Sequence, residues 1–140
     1  MSTVRRKLHD SPYYRIDLVE PGVVWVCRTA AAYPDLDALD AEHVAVERAL
    51  EPVRGHGLLV DLRETAGRND PAFEERMRTH RAMIFRDFAR AAVVVRTAIG
   101  ALQVKRHMSE DGFSDRVRVT SDEAEALAHL GQPRRSRTGR

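Results

Sequence analysis

The run Gly57-Leu58-Leu59-Val60-Asp61-Leu62 is almost wholly apolar, begins at a glycine and is too short for a helix. Such a run is a strand that is covered on both faces, and helices packed on a sheet are the usual way to cover it. The chain is therefore constrained to an α/β fold. After the run comes a polar stretch, Arg63 to Asn69, and then Asp70-Pro71. Asp70 suits a helix N-cap, and Pro71 suits the first helical position, where a missing N–H costs nothing. A loop leaving the carboxyl end of a central strand is rigidly held yet exposed, so function is expected here.

The flanking segments follow the same logic. Tyr14, Ile16 and Leu18 alternate with Arg15 and Asp17, and Val23-Val24-Trp25-Val26-Cys27 resumes after Pro21-Gly22, which predicts a hairpin. Leu36, Leu39, His43, Val46, Leu50 and Val53 share one helical face, with Pro34 or Asp35 opening the helix and Gly55 closing it. Phe73, Met77, His80, Ile84 and Phe88 line a second helix, and Ala91 to Val95 is a second buried strand. Thr97 to Asp111 reads as a helix stopped by Gly112, Arg116 to Val119 as a more exposed strand. Thr120 and Glu123 are spaced as a capping box for a last helix ending near Leu130-Gly131. The predicted order is β-β-α-β-α-β-α-β-α, a single mostly parallel sheet of about five strands with about four helices.

A chain of 140 residues, 43% of them hydrophobic, fits one domain. Its charge is unevenly placed. Arg5, Arg6, Lys7, Arg134, Arg135, Arg137 and Arg140 have no nearby acid, and taking these seven from 23 basic residues leaves 16 against 21 acidic ones. The body, residues 8–133, thus carries about −5. Residues 1–12 read as a basic extension and 132–140 as a basic, disordered tail, so nucleic acid is not expected except through these ends. Cys27 is the single cysteine, which excludes an intramolecular disulfide and a thiolate cage within one chain and fits a cytoplasmic setting. No signal peptide or membrane span is expected from the apolar runs.

This order over residues 13–131, with Leu59-Val60-Asp61-Leu62 leading into a loop and helix, resembles the STAS domain, the SpoIIAA-like fold of bacterial anti-sigma factor antagonists. The resemblance implies a regulatory module that docks a protein through this loop. In that family a partner kinase phosphorylates a serine or threonine at the amino end of the following helix. The family's pattern falls near Asn69-Asp70-Pro71-Ala72, where this chain has no hydroxyl; Thr65, the nearest, does not match the phosphosite. A carboxylate at a helix N-terminus is favoured for the same electrostatic reasons as a phosphate, so Asp70 is either a permanent charge in that place or a plain cap.

Arg63, Glu64, Arg68, Asn69, Asp70 and Glu74 are the candidate partner-binding residues. Arg63 and Arg68 could alternatively bind an anion through their planar guanidinium forks, the mark of a sensor for an anionic or lipidic ligand. A lined cavity beside these two arginines would favour the sensor. His43 and His80 sit on apolar helix faces, as buried hydrogen-bonded imidazoles do, and the six histidines lack metal-ligand spacing. Cys27 reads as a packed thiol and Trp25 as an anchor of the sheet. Glu74, Glu75, Arg76 and Arg78 read as a solvated helix face. There is no nucleophile elbow, phosphate loop or dinucleotide fingerprint, so no catalytic residue, cofactor or metal is expected. The partner is left unidentified and a homodimer left open; a stripe of exposed Phe73, Phe85 or Phe88 would indicate self-association.

Overall fold

A computed structural model describes residues 5–19, 22–65, 70–113 and 116–131. Six strands form one mixed sheet, in chain order across the sheet: β1 (Arg5–Asp10), β2 (Tyr14–Val19), β3 (Val23–Arg28), β4 (Gly57–Asp61), β5 (Ala91–Val94) and β6 (Val117–Thr120). The first three run antiparallel as a meander, and β3 to β6 run parallel. This corrects the predicted sheet of about five mostly parallel strands. The added strand, β1, lies inside the segment read as a basic extension over 1–12. It pairs with β2 from Arg5↔Val19 to Asp10↔Arg15, with a register shift between Lys7 and His9. The carboxyl-terminal tail, 132–140, lies outside the described residues.

Four helices connect and cover the strands: α1 (Leu36–Leu50), α2 (Pro71–Phe85), α3 (Ala98–Glu110) and α4 (Glu123–His129). Strand alternation decides which side chains each receives. Ile16, Val24, Val26, Leu58, Val60 and Val93 point to one face and pack with Val46 and Leu50 of α1, Ile84 and Phe85 of α2, and Ala101 and Met108 of α3. Val23, Leu59, Ala92 and Val94 point to the other face, where Ala126 of α4 and Leu130 cover them. Leu58 and Leu59 are both fully buried, which is why β4 reads as an unbroken apolar run. The second face has one helix against three, and α4 lies over β5 and β6. Beside it, β2 and β3 present Arg15, Asp17, Trp25 and Cys27.

Two local expectations change. Asp122, not Thr120, caps α4: its side chain accepts from the Ala124 and Glu125 N–H groups, while Thr120 closes β6 and its Oγ1 accepts from Asp122 N–H at 3.0 Å. The second helix stops at Phe85, short of Phe88. Asp87 then takes φ +66°, a conformation that Asp tolerates better than most residues, and the chain turns so that Phe88 enters the core. Phe73, Phe85 and Phe88 are all buried, so they form no exposed aromatic stripe.

Candidate functional site

The segment leaving β4 is pinned at every described residue. Leu62 N–H donates to Val94 C=O at 2.8 Å, and Thr65 N–H donates to Leu62 C=O at 3.1 Å. Asp61 turns to the α4 face, where it is buried. Its carboxylate accepts from the Arg63 backbone N–H (3.0 Å), from Arg63 Nε (3.0 Å) and Nη2 (2.7 Å), and from Trp25 Nε1 (3.3 Å). Burial alone would raise the Asp61 pKa; these donors outweigh it and hold the carboxyl below its ordinary value. Arg63 reaches on to Glu123 at the start of α4, 2.9 Å away. The guanidinium thus ties the loop to the helix on that face, and two carboxylates already satisfy it.

Glu64 projects to β2 and pairs with Arg15 at 2.9 Å. The same Arg15 Nη2 lies 3.2 Å from Cys27 Sγ. Burial first, then the Asp61 charge, pushes the Cys27 thiol up, so Cys27 is a packed thiol held in its protonated, poorly nucleophilic form. Asp70 caps α2, accepting from Ala72 N–H at 3.0 Å, and Pro71 takes the first helical position. Replacing Asp70 by alanine is expected to cost about 1 kcal/mol in a urea melt, and Asp70→Ser to cost much less, because serine keeps an acceptor there. Glu74, in the first turn, lies 3.7 Å from Arg81, which binds Asp111 at 2.9 Å. Arg63 and Glu64 follow the carboxyl end of β4 and face α4 and β2, whereas Asp70 and Glu74 stand at the start of α2, with Glu74 directed to Arg81. Arg68 and Asn69 lie outside the described residues.

On the helix side of the same segment is a cavity of about 370 Å³. Its walls are mainly apolar, among them Val60, Leu62, Phe73, Met77, Phe85 and Val104. Ala30, Ala31 and Ala32, between β3 and α1, also line it. Arg63 does not line it; among the described residues the arginines that do are Arg28 and Arg81. Arg28 ends β3 in the register of Val24 and Val26, so its stem points to the helix side. The guanidinium sits 4.6 Å from the Tyr33 ring centroid and 5.7 Å from that of Tyr14, and its Nη1 donates to Thr29 C=O at 2.7 Å. A cation at an inward strand position, Arg28 after Val24 and Val26, is the feature of the sequence that marks this cavity.

Beside the cavity, His43 is fully buried as expected. Its Nδ1–H donates to Leu39 C=O at 2.9 Å, which leaves Nε2 to accept the Tyr14 hydroxyl at 2.9 Å. Burial pushes the Tyr14 hydroxyl up to about 12 and lowers His43 to about 4. His80 stacks on His43, ring centroids 4.2 Å apart, and is half-buried against Asp40 at 2.9 Å; Arg76 also pairs with Asp40. So His80 and Arg76 are fastened to α1, while Glu75, Arg76 and Arg78 stay exposed on the solvated face of α2. Among the described residues no group of histidine, cysteine and carboxylate side chains could hold a metal ion, and no helix is long and apolar enough to cross a membrane.

No family model matches the chain, and neither a curated protein nor a solved structure matches it significantly.

Proposed function

We propose that the chain is a non-enzymatic, STAS-like regulatory module that docks a protein on the segment between β4 and α2 and on the first turn of α2. The observation that carries this reading is the pinned, exposed charge pattern at the carboxyl edge of a central strand. Arg63 and Glu64 are held by Asp61, Glu123 and Arg15, so a partner would meet a surface whose ordering cost is already met. The element order over β2 to α4 agrees with the STAS-like order, and Asp70 stands where that family places its phosphoacceptor. Docking here is therefore constitutive, set by fixed charge and not by phosphorylation.

The test is affinity capture from the source cell with wild type, Glu64→Arg, Arg68→Glu and Asp70→Ser, each checked for folding by circular dichroism. One partner should be retained by wild type and lost, or weakened at least about tenfold, by Glu64→Arg and Arg68→Glu. Asp70→Ser keeps a cap and removes the charge, so its loss of the same partner would assign the carboxylate to docking. Equal capture by all four proteins would remove the loop from the binding surface.

A further inference from the structure

We propose that the cavity between the sheet and α2 and α3 binds a single-chain amphiphile with a carboxylate head, the carboxylate seated on Arg28. This goes beyond the docking reading and does not rest on it. Three observations converge.

The first is the state of the guanidinium. Arg28 Nη1 donates to the Thr29 carbonyl at 2.7 Å and more weakly to the Tyr13 carbonyl at 3.4 Å. Nε and Nη2 donate to no acceptor among the described residues, and no described carboxylate pairs with Arg28. Elsewhere around the site the cations are matched: Arg81 with Asp111 and Glu74, Arg63 with Asp61 and Glu123, Arg15 with Glu64. A charged group kept beside apolar walls without an acid is one that an incoming anion can neutralise.

The second is the shape of the free donors. Nε–H and Nη2–H lie along one edge of the planar guanidinium and point the same way, the arrangement that receives both oxygens of one carboxylate. A dianionic phosphate head would call on a second cation, and Arg81, the other arginine of the lining among the described residues, is already committed to Asp111. Glu74, the carboxylate on the rim, is drawn to Arg81.

The third is the size and lining of the space. About 370 Å³ is near the lower end for small-molecule cavities, enough for one medium-length chain and too little for a two-tailed lipid. Phe73, Met77, Phe85 and Met108 give it apolar and easily deformed walls. The polar residues at the Arg28 end are Tyr14 and Tyr33, whose rings face that guanidinium, and Thr29 and Thr65.

Calorimetric titration of the intact chain with decanoate, decanol and decyl phosphate tests the assignment. Decanoate is expected to bind at least about tenfold more tightly than decanol, the margin of a charge-assisted hydrogen-bonded pair. Arg28→Gln should bring decanoate down to the affinity of decanol and leave decanol unchanged. Equal affinities for decanoate and decanol in the wild type would overturn the role of Arg28, even if Arg28→Gln does not fold. Tighter binding of decyl phosphate than of decanoate would overturn the carboxylate as the head group, and no binding of any of the three would overturn the site.

Discussion

Acidification from about pH 7 to about pH 4 is expected to cost the fold about 3 kcal/mol through His43 alone. The imidazole is neutral in the folded protein because it is buried against Leu39, Tyr14 and His80, with Arg28 adding to the repulsion of a proton. In the unfolded chain it takes up a proton near its ordinary value of 6.5, and in the fold only at about 4. Between these values the unfolded state binds more protons. Stability therefore falls as the pH drops through this window, and His43 adds no further loss below about 4. The carboxylates of Asp40, Asp61, Glu51 and Glu125, all held below their ordinary values, lose stability on the acid side as well. A difference experiment separates them. Urea midpoints of wild type and His43→Gln should approach each other by about 3 kcal/mol on acidification, because glutamine does not titrate; parallel profiles would show that His43 is not the group responsible.

Replacing Arg54 by methionine is expected to destabilise the protein by about 2–4 kcal/mol. Arg54 follows the 3-10 turn Glu51–Val53, its side chain is only 7% exposed, and it lies against the carboxyl end of α2. There Nη2 donates to Met83 C=O at 3.0 Å, and Nη1 donates to the carbonyls of Ile84 and Arg86. The last carbonyls of a helix are short of backbone donors; Met83 C=O has a long bond from Arg86 N–H at 3.3 Å, and one guanidinium reaches it together with the carbonyls of Ile84 and Arg86. It also lies 5.4 Å from the centroid of the buried Phe88 ring. Methionine keeps the apolar stem and strands the carbonyls, so a loss within the stated range in urea melts, with faster amide exchange in the last turn of α2, is the expected result. Arg54→Lys should recover little, since a compact ammonium cannot reach several carbonyls. Glu51→Gln should change stability far less than the Arg54 substitutions, because that carboxylate is exposed and solvent screens its pairing.

The sequence disclosed the elements whose periodicity is enforced by burial. Leu58 to Asp61, Ala91 to Val94 and the α1 stripe through Leu39, His43, Val46 and Leu50 lie where their apolar spacing puts them, because each packs on a face that the spacing defines. Asp35 and Asp70 cap their helices where the sequence puts them, since a cap acts within three residues of itself; Thr97, read as the start of its helix, is its cap. What stayed hidden depends on partners far along the chain. β1 has no apolar face of its own, and its strand conformation comes from pairing with β2. Phe88 fits the α2 stripe by spacing, yet Asp87 sends it into the core by a turn. At the site, the arginines were visible as residues and not as pairs: nothing near Arg63 announces Glu123, and nothing near Arg28 announces that its neighbours are rings and carbonyls.

The placement of β1 at the end of the sheet has a consequence for solubility. An edge strand offers unpaired backbone groups to any other strand, and a second copy of the same edge is the partner most often at hand. Here the edge carries Arg5, Arg6 and Lys7 in succession, all exposed. Two such edges brought together in parallel register would set cation against cation, with Asp17 and Asp10 already engaged by Arg5 and Lys7 within each copy. The basic run that resembles a loose tail is thus a guard against runaway sheet extension, and substituting it with threonine or valine would turn the margin of the sheet into a seed for aggregates.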